Sequence, residues 1–286
     1  MPRLTTFQPL LSLVLALGLI LFGCQNKSRI SAEKARLQLS SLAKAAAEDA
    51  REVRTGLPLG AAQLASVFST GKPPADDPKA AEEALERARN KVQDLRTAKS
   101  TFFAVVDASG LIIRNDQDQD LMAGKNLFGA FPELRAALGG KYVEARGSMP
   151  EASGVRGRAD AQWVAAAPVS VEGQVKGLYV SGWSWTSYAY RLENAIRTQA
   201  RNEAGETGKL PLVYAFVVVD GGVYGAPLTP EVSIQTLAQQ KLLEKTQPGK
   251  PFSMELEITG RDFGLAAVRV PEFGPGVAIA VLRSET

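Results

Sequence analysis

The sequence predicts an α+β protein in which N-terminal helices precede two five-stranded antiparallel units. Three observations predict it. From Ser31 to Leu95 apolar residues recur at helical spacing, with charges filling the gaps. At Thr101 the period shortens to that of a strand. From there the order strand, strand, helix, strand, strand, strand runs twice, which reads as an internal duplication.

The chain opens on a short basic start, Met1-Pro2-Arg3, and an apolar run from Leu10 to Phe22. A spanning helix needs roughly 20 apolar residues, so this run is short for a membrane span and suits a signal-peptide core. Leu21-Phe22-Gly23-Cys24 resembles the lipobox of bacterial lipoprotein precursors, with a small residue before the cut and a thiol to receive the lipid. The resemblance implies a signal peptide over 1–23 and a lipid-anchored Cys24, the only cysteine in the chain. Residues 24–30 read as a polar tether. In some bacteria Asp after the lipidated cysteine retains a lipoprotein in the inner membrane. Gln25 stands here, which favours the outer membrane, on the periplasmic side.

Residues 31–100 read as helical. Leu39, Leu42 and Ala46 mark one stripe, and Gly56-Leu57-Pro58 reads as its break. A short helix over Leu59–Phe68 and a Gly71–Pro74 loop follow. Asp77 with Pro78 opens a helix whose apolar stripe is Ala81, Leu85, Ala88, Val92 and Leu95.

The first unit covers 101–185. Phe102–Val106 and Leu111–Arg114 read as strands joined by the Asp107–Gly110 turn. A helix over Ala130–Leu138 closes at Gly139-Gly140. Three strands follow: Tyr142–Arg146, Trp163–Val169 and Val175–Trp185, the last two joined at Glu172-Gly173. Residues 186–211 read as a connecting helix and linker. The second unit, 212–286, repeats the order: Val213–Val219, Val223-Tyr224, a helix over Thr229–Lys245, then Phe252–Ile258, Asp262–Val270 and Gly276–Arg283. Phe252, Met254, Leu256 and Ile258 alternate with polar residues. Val105-Val106-Asp107 and Val218-Val219-Asp220 read as a phrase shared by the two units.

Composition narrows the chemistry. The formal charge is +3 and no Lys/Arg stripe carries interleaved aromatics, which argues against nucleic acid. The chain has no histidine, so His-based triads, histidine metal sites and histidine-ligated haem are excluded. No cofactor or metal is expected. Asp116, Asp118 and Asp120 are spaced like the start of a calcium loop, but Leu121 and Leu127 stand where glycine and glutamate belong. A solvated loop is expected there. Asp107 and Asp220 read as turn formers.

Phe103–Ile113 is similar to the opening of Cache domains, the extracytoplasmic PAS-like sensors of bacteria. Gly124-Lys125-Asn126-Leu127-Phe128, Glu133–Lys141, Trp163–Val169 and Gly177–Val180 resemble the segments that follow in that family. The resemblance is fuller over Thr101–Trp185 than over Leu212–Thr286. Two such units after a long helix imply a double Cache arrangement with a small-molecule pocket in the first unit, for an amino acid or carboxylate. Members that bind amino acids carry Arg-x-Trp-Tyr and Pro-Tyr-x-Asp segments, and neither is present. Sensor members end in a membrane helix leading to a kinase or chemoreceptor. This sequence stops after its last strand and is expected to act through a separate partner protein.

Tyr179, Ser181, Trp183 and Trp185 share one face of a strand, with Trp163 on the neighbouring strand. Two readings fit these rings: walls of a small-ligand pocket, or core packed against the helices. Arg156, Arg158 and Asp160 precede Trp163 in a glycine-rich loop. They read either as groups reaching an anionic or zwitterionic ligand, or as a solvated loop. The expected ligand contacts are therefore Arg156, Arg158, Asp160, Trp163, Tyr179 and Trp183. The expected function is a non-catalytic, lipid-anchored, periplasm-facing module that binds a small molecule. The alternative is an envelope scaffold with a filled-in pocket.

Overall fold

The computed structural model describes residues 9–150, 161–205 and 208–285, with side chains from residue 27 onward. Helix α1 (Pro9–Ala61) has 53 residues, about 80 Å of rise. Its stripe of Ala35, Leu39, Leu42, Ala46, Ala50, Val53 and Leu57 is fully buried or nearly so. The stripe joins one continuous core with residues of both units. Residues 27–30, expected as a tether, are helical. Ser28 there is buried and donates a hydrogen bond to Glu255.

The expected break at Gly56-Leu57-Pro58 does not occur. Pro58 lies in the last turn of α1, where little helix remains for its missing N–H to disrupt. Gly56 and Gly60 serve close packing instead. A Cβ on Gly56 would stand 2.8 Å from Leu95 Cδ2, and one on Gly60 2.7 Å from Tyr179 Cε1. A 3₁₀ segment (Ala62–Phe68) follows, then α2 (Pro78–Lys91) and α3 (Gln93–Thr97). Asp77 caps α2, accepting from Ala80 N at 3.0 Å.

Unit one has β1 (Phe102–Asp107), β2 (Ile112–Asn115), β3 (Val143–Ser148), β4 (Ala161–Val171) and β5 (Gln174–Ser184). Its sheet order is β2-β1-β5-β4-β3. Where one helix is expected over Ala130–Leu138, a short α4 (Leu127–Ala130) and a 3₁₀ segment (Pro132–Gly139) stand. Helix α5 (Trp185–Ala204) leads to unit two: β6 (Leu212–Val219), β7 (Gly222–Gly225), β8 (Phe252–Ile258), β9 (Arg261–Arg269) and β10 (Val277–Ser284). That sheet runs β7-β6-β10-β9-β8, the same topology. The helix expected over Thr229–Lys245 is split into α6 (Glu231–Gln239) and α7 (Leu242–Lys245), with Lys241 at φ 48° between them.

The duplication therefore holds at the level of topology, but the shared phrase is not its trace. Val106 packs on the face of sheet one turned away from α1, whereas Val219 packs on the α1 side of sheet two. Strand side chains alternate faces, so a phrase offset by one residue points the other way. The turns differ too. Asp107–Gly110 closes a four-residue turn, while Asp220-Gly221 forms a two-residue hairpin at φ 50° and 92°.

Each sheet has an α1 face and a far face. In unit one the far face is filled by Phe102, Met122, Phe128, Phe131, Leu134 and Met149, all buried. In unit two α6 and α7 cover the far face more thinly, and Phe252, Met254 and Leu256 of β8 remain half-buried.

Candidate functional site

Strand parity places Trp163, Tyr179 and Trp183 on the α1 face of unit one. Trp163 and Trp183 are directly paired across β4 and β5, and their rings stack at 4.5 Å between centroids. The first turn of α5 continues the column. Tyr188 stacks on Trp183 at 5.0 Å, and Trp185 lies alongside. Into this group unit two inserts Phe273, from the link between β9 and β10. Phe273 stands edge-to-face with Trp163, Trp183, Trp185 and Tyr188, at centroid distances of 5.9, 5.5, 5.7 and 5.5 Å. All five rings are buried. Edge-to-face pairs of this kind add about 0.5–1.5 kcal/mol beyond area burial, so the cluster is a strong joint between the units.

Polar groups surround the rings. The Tyr188 hydroxyl donates to Asp49 Oδ2 on α1 at 2.7 Å. Burial raises the Asp49 pKa and the Glu52 charge adds to it, outweighing the Tyr188 bond and the fields of Lys99 and Arg191. Burial also raises the Tyr188 hydroxyl. Glu52 Oε2 and Trp183 Nε1 are buried without hydrogen-bond partners.

Above the rings a cleft of about 490 Å³ opens between the units, reaching Trp163 and Phe273. Arg54 of α1 grips Glu144 of β3 through Nε and Nη2, at 2.6 and 2.9 Å, and also donates to the Glu272 carbonyl. Tyr142 donates to the same carboxylate at 2.9 Å. The Glu144 bond raises the Arg54 pKa further, and burial raises Tyr142. Arg146 of unit one meets Asp220 of unit two at 3.2 Å. Both arginines thus tie unit two to the rest.

Of the residues singled out from sequence, Trp163 both packs in the core and lines this cleft. Tyr179 and Trp183 are in the core under α1. The Tyr179 hydroxyl is buried without a partner, and that burial raises its pKa. Arg156, Arg158 and Asp160 lie outside the described residues. Sequence reasoning did not single out Phe273, Tyr188, Arg54 or Arg146 for a site. Phe273 offered one signal, a lone aromatic between Pro271 and Gly274 where a polar turn is the norm.

The expected solvated loop is corrected at two of its three carboxylates. Asp116 accepts from Phe103 N and Arg89, both at 2.7 Å, and Asp120 accepts from Asn115 N, Met122 N and Ala123 N. The oxygens that a calcium loop would turn to metal hold backbone N–H groups here. Among the described residues no cluster of carboxylates is arranged to hold a metal ion. Asp107 is a turn former, accepting from Ser109 N and Leu111 N.

No protein-family model and no curated protein matches the chain. Solved structures do. The extracellular domain of vpHK1S-Z8, described as a histidine kinase, superposes with a TM-score of 0.60 at 12% identity, covering 91% of this chain and 93% of that one. A domain of a sensory box/GGDEF family protein from Vibrio parahaemolyticus gives 0.55 at 10% identity, covering 91% and 98%. An extracellular ligand binding receptor from Desulfohalobium retbaense gives 0.50 at 14% identity. It covers 86% of this chain, which spans only 39% of that structure. The fold is that of Cache, PAS-like sensor domains, and the neighbours named are parts of extracellular or sensory proteins. Among the described residues no helix is long and apolar enough to cross a membrane.

Proposed function

We propose that this chain is a lipid-anchored, extracytoplasmic module that binds a small molecule and acts through a separate partner protein. The observation that carries the proposal is the pair of identically ordered sheets built on one helix, a fold shared with extracellular sensor domains. The leader ending at Gly23-Cys24 supports anchoring at Cys24, and Gln25 supports the outer membrane. The lack of histidine, and of any cysteine besides Cys24, supports a binding rather than a catalytic role. Ligand contacts fall to the Trp163 side of the inter-unit cleft, and to Arg156, Arg158 and Asp160 just upstream of β4. Trp183 acts from behind, stacked on Trp163, while Tyr179 packs farther along β5 against Phe103.

A thermal-shift screen of the protein against small metabolites tests this. A ligand at 100 times its Kd adds about 2.7 kcal/mol of stability, and the midpoint should rise accordingly. No shift with any compound would count against ligand binding. It would favour the second reading, an envelope scaffold, which the filled far face of unit one supports.

A further inference from the structure

We propose that the outer edge of β8 is a docking site for an extended segment of a partner protein in which basic and apolar residues alternate, added to the second sheet as a further strand. This rests on the reading above that the chain acts through a separate partner, and names the chemistry that the partner presents.

The backbone is the first support. An edge strand offers a row of unpaired N–H and C=O groups to another chain unless it is short, bulged or covered. The other sheet edges are blunted. β2 is bonded along its outer side by the loop that follows it, Ile112 N to Lys125 O and Gly124 N to Ile112 O, both at 2.9 Å. β7 has four residues, two of them glycine. β3 carries Glu144 and Arg146, already engaged by Arg54 and Asp220, and a Cβ on its Gly147 would run into the Ala130 carbonyl. β8 is different. Its seven residues pair one-to-one with β9, without a bulge or a proline, and among the described residues they pair with no other strand. The two-residue turn at Thr259-Gly260 makes Ile258 and Arg261 the first hydrogen-bonded pair. Alternation then turns the backbone groups of Ser253, Glu255 and Glu257 outward.

Side chains name the occupant. On the far face Phe252, Met254 and Leu256 are half-buried, and apolar residues of an added strand would cover them. On the other face stand Glu255 and Glu257, with Asp262 of β9 directly opposite Glu257, all three exposed. Glu255 accepts from Ser28, and among the described residues none of the three carboxylates is in an ion pair. Like charges directly opposite each other destabilise a sheet, so a basic residue beside Glu257 and Asp262 relieves them. A second copy of β8 in the same place would set glutamates against glutamates. The edge therefore disfavours self-pairing and favours a basic strand.

The full chain is tested with three fluorescein-labelled probes read by anisotropy. They are Lys-Val-Lys-Val-Lys-Val-Lys, its counterpart with glutamate for lysine, and the basic probe with proline for its central valine. Saturable binding of the first alone is expected. Ser253→Pro keeps every charge and the pairing with β9 but removes an outward N–H. It should weaken the first probe about tenfold, with the far-ultraviolet spectrum unchanged. Glu257→Lys leaves the edge intact and should weaken that probe about tenfold while admitting the glutamate probe. Equal binding of the proline probe, or an affinity that neither variant moves, would overturn strand addition. Binding of the glutamate probe by the native chain would overturn the charge assignment. Self-association of the native chain that Ser253→Pro abolishes would give the edge to a second copy instead. No binding of any probe by the folded native chain would overturn the site. The metabolite screen is read independently of these probes, so the small-molecule reading stands or falls on its own result.

Discussion

Asp49 is held where burial opposes its charge and a hydrogen bond favours it. Burial and Glu52 win, so its folded-state pKa lies above the ordinary value. A carboxyl raised on folding contributes stability that is fully present below its unfolded pKa and lost as pH rises through the folded one. Asp49→Asn keeps an acceptor for Tyr188 and removes the buried charge. Thermal melts should show a midpoint a few degrees higher than the native protein at pH 7. The gain should shrink toward pH 3–4, where Asp49 itself is protonated. A lower midpoint at pH 7 would mean that the charge is better compensated than burial implies. What the sequence reveals at this scale depends on range. Asp107 was legible because its bonds stay within four residues. Tyr188 and Asp49 are 139 positions apart, and no local pattern pairs them.

At the scale of elements, glycines were the least legible residues. Gly56 looks like part of a helix break in the sequence, and both it and Gly60 are contact points in the fold. Gly264 of β9 is the extreme case, since a Cβ there would overlap the backbone of Ser31 and Ala32 in α1. Gly264→Ala should destabilise the protein by about 1–3 kcal/mol through overpacking, measured by chemical denaturation. Gly139→Ala, with open space around it, is the control and should be close to neutral. The strands were legible because alternation reports burial directly. β8 keeps Phe252, Met254, Leu256 and Ile258 inward as read, with Ser253, Glu255 and Glu257 exposed. The two-residue turns Glu172-Gly173 and Thr259-Gly260 both have positive φ, as tight hairpins require. The shared Val-Val-Asp phrase misled because identical letters carry no parity. Phe273 escaped because a loop residue has no period to betray what it packs against.

For the whole molecule, the proposed anchoring and the folding should be separable. Cys24→Ser removes the proposed acyl acceptor, and each lost CH₂ forfeits about 0.8 kcal/mol of membrane affinity. The protein should keep its fold and lose fatty-acid labelling, and label on the variant would show the lipid reading to be wrong. Residues 24–30 are themselves part of α1, so the proposed anchor at Cys24 would continue directly into the helix on which both sheets are built. The placement of β10 has a kinetic meaning. β10 follows every other strand in the chain, yet it lies in the middle of its sheet, between β6 and β9. At its end Glu285 N donates to Ser31 Oγ across 254 positions. Closing so long a loop costs entropy before any contact offsets it, and such topologies fold slowly. Unit one can close its own five strands early. Unit two must wait for β10, and until then β6 and β9 each present an open edge in the middle of an unfinished sheet. A chain made N-terminus first is therefore exposed to wrong strand pairing until β10 arrives.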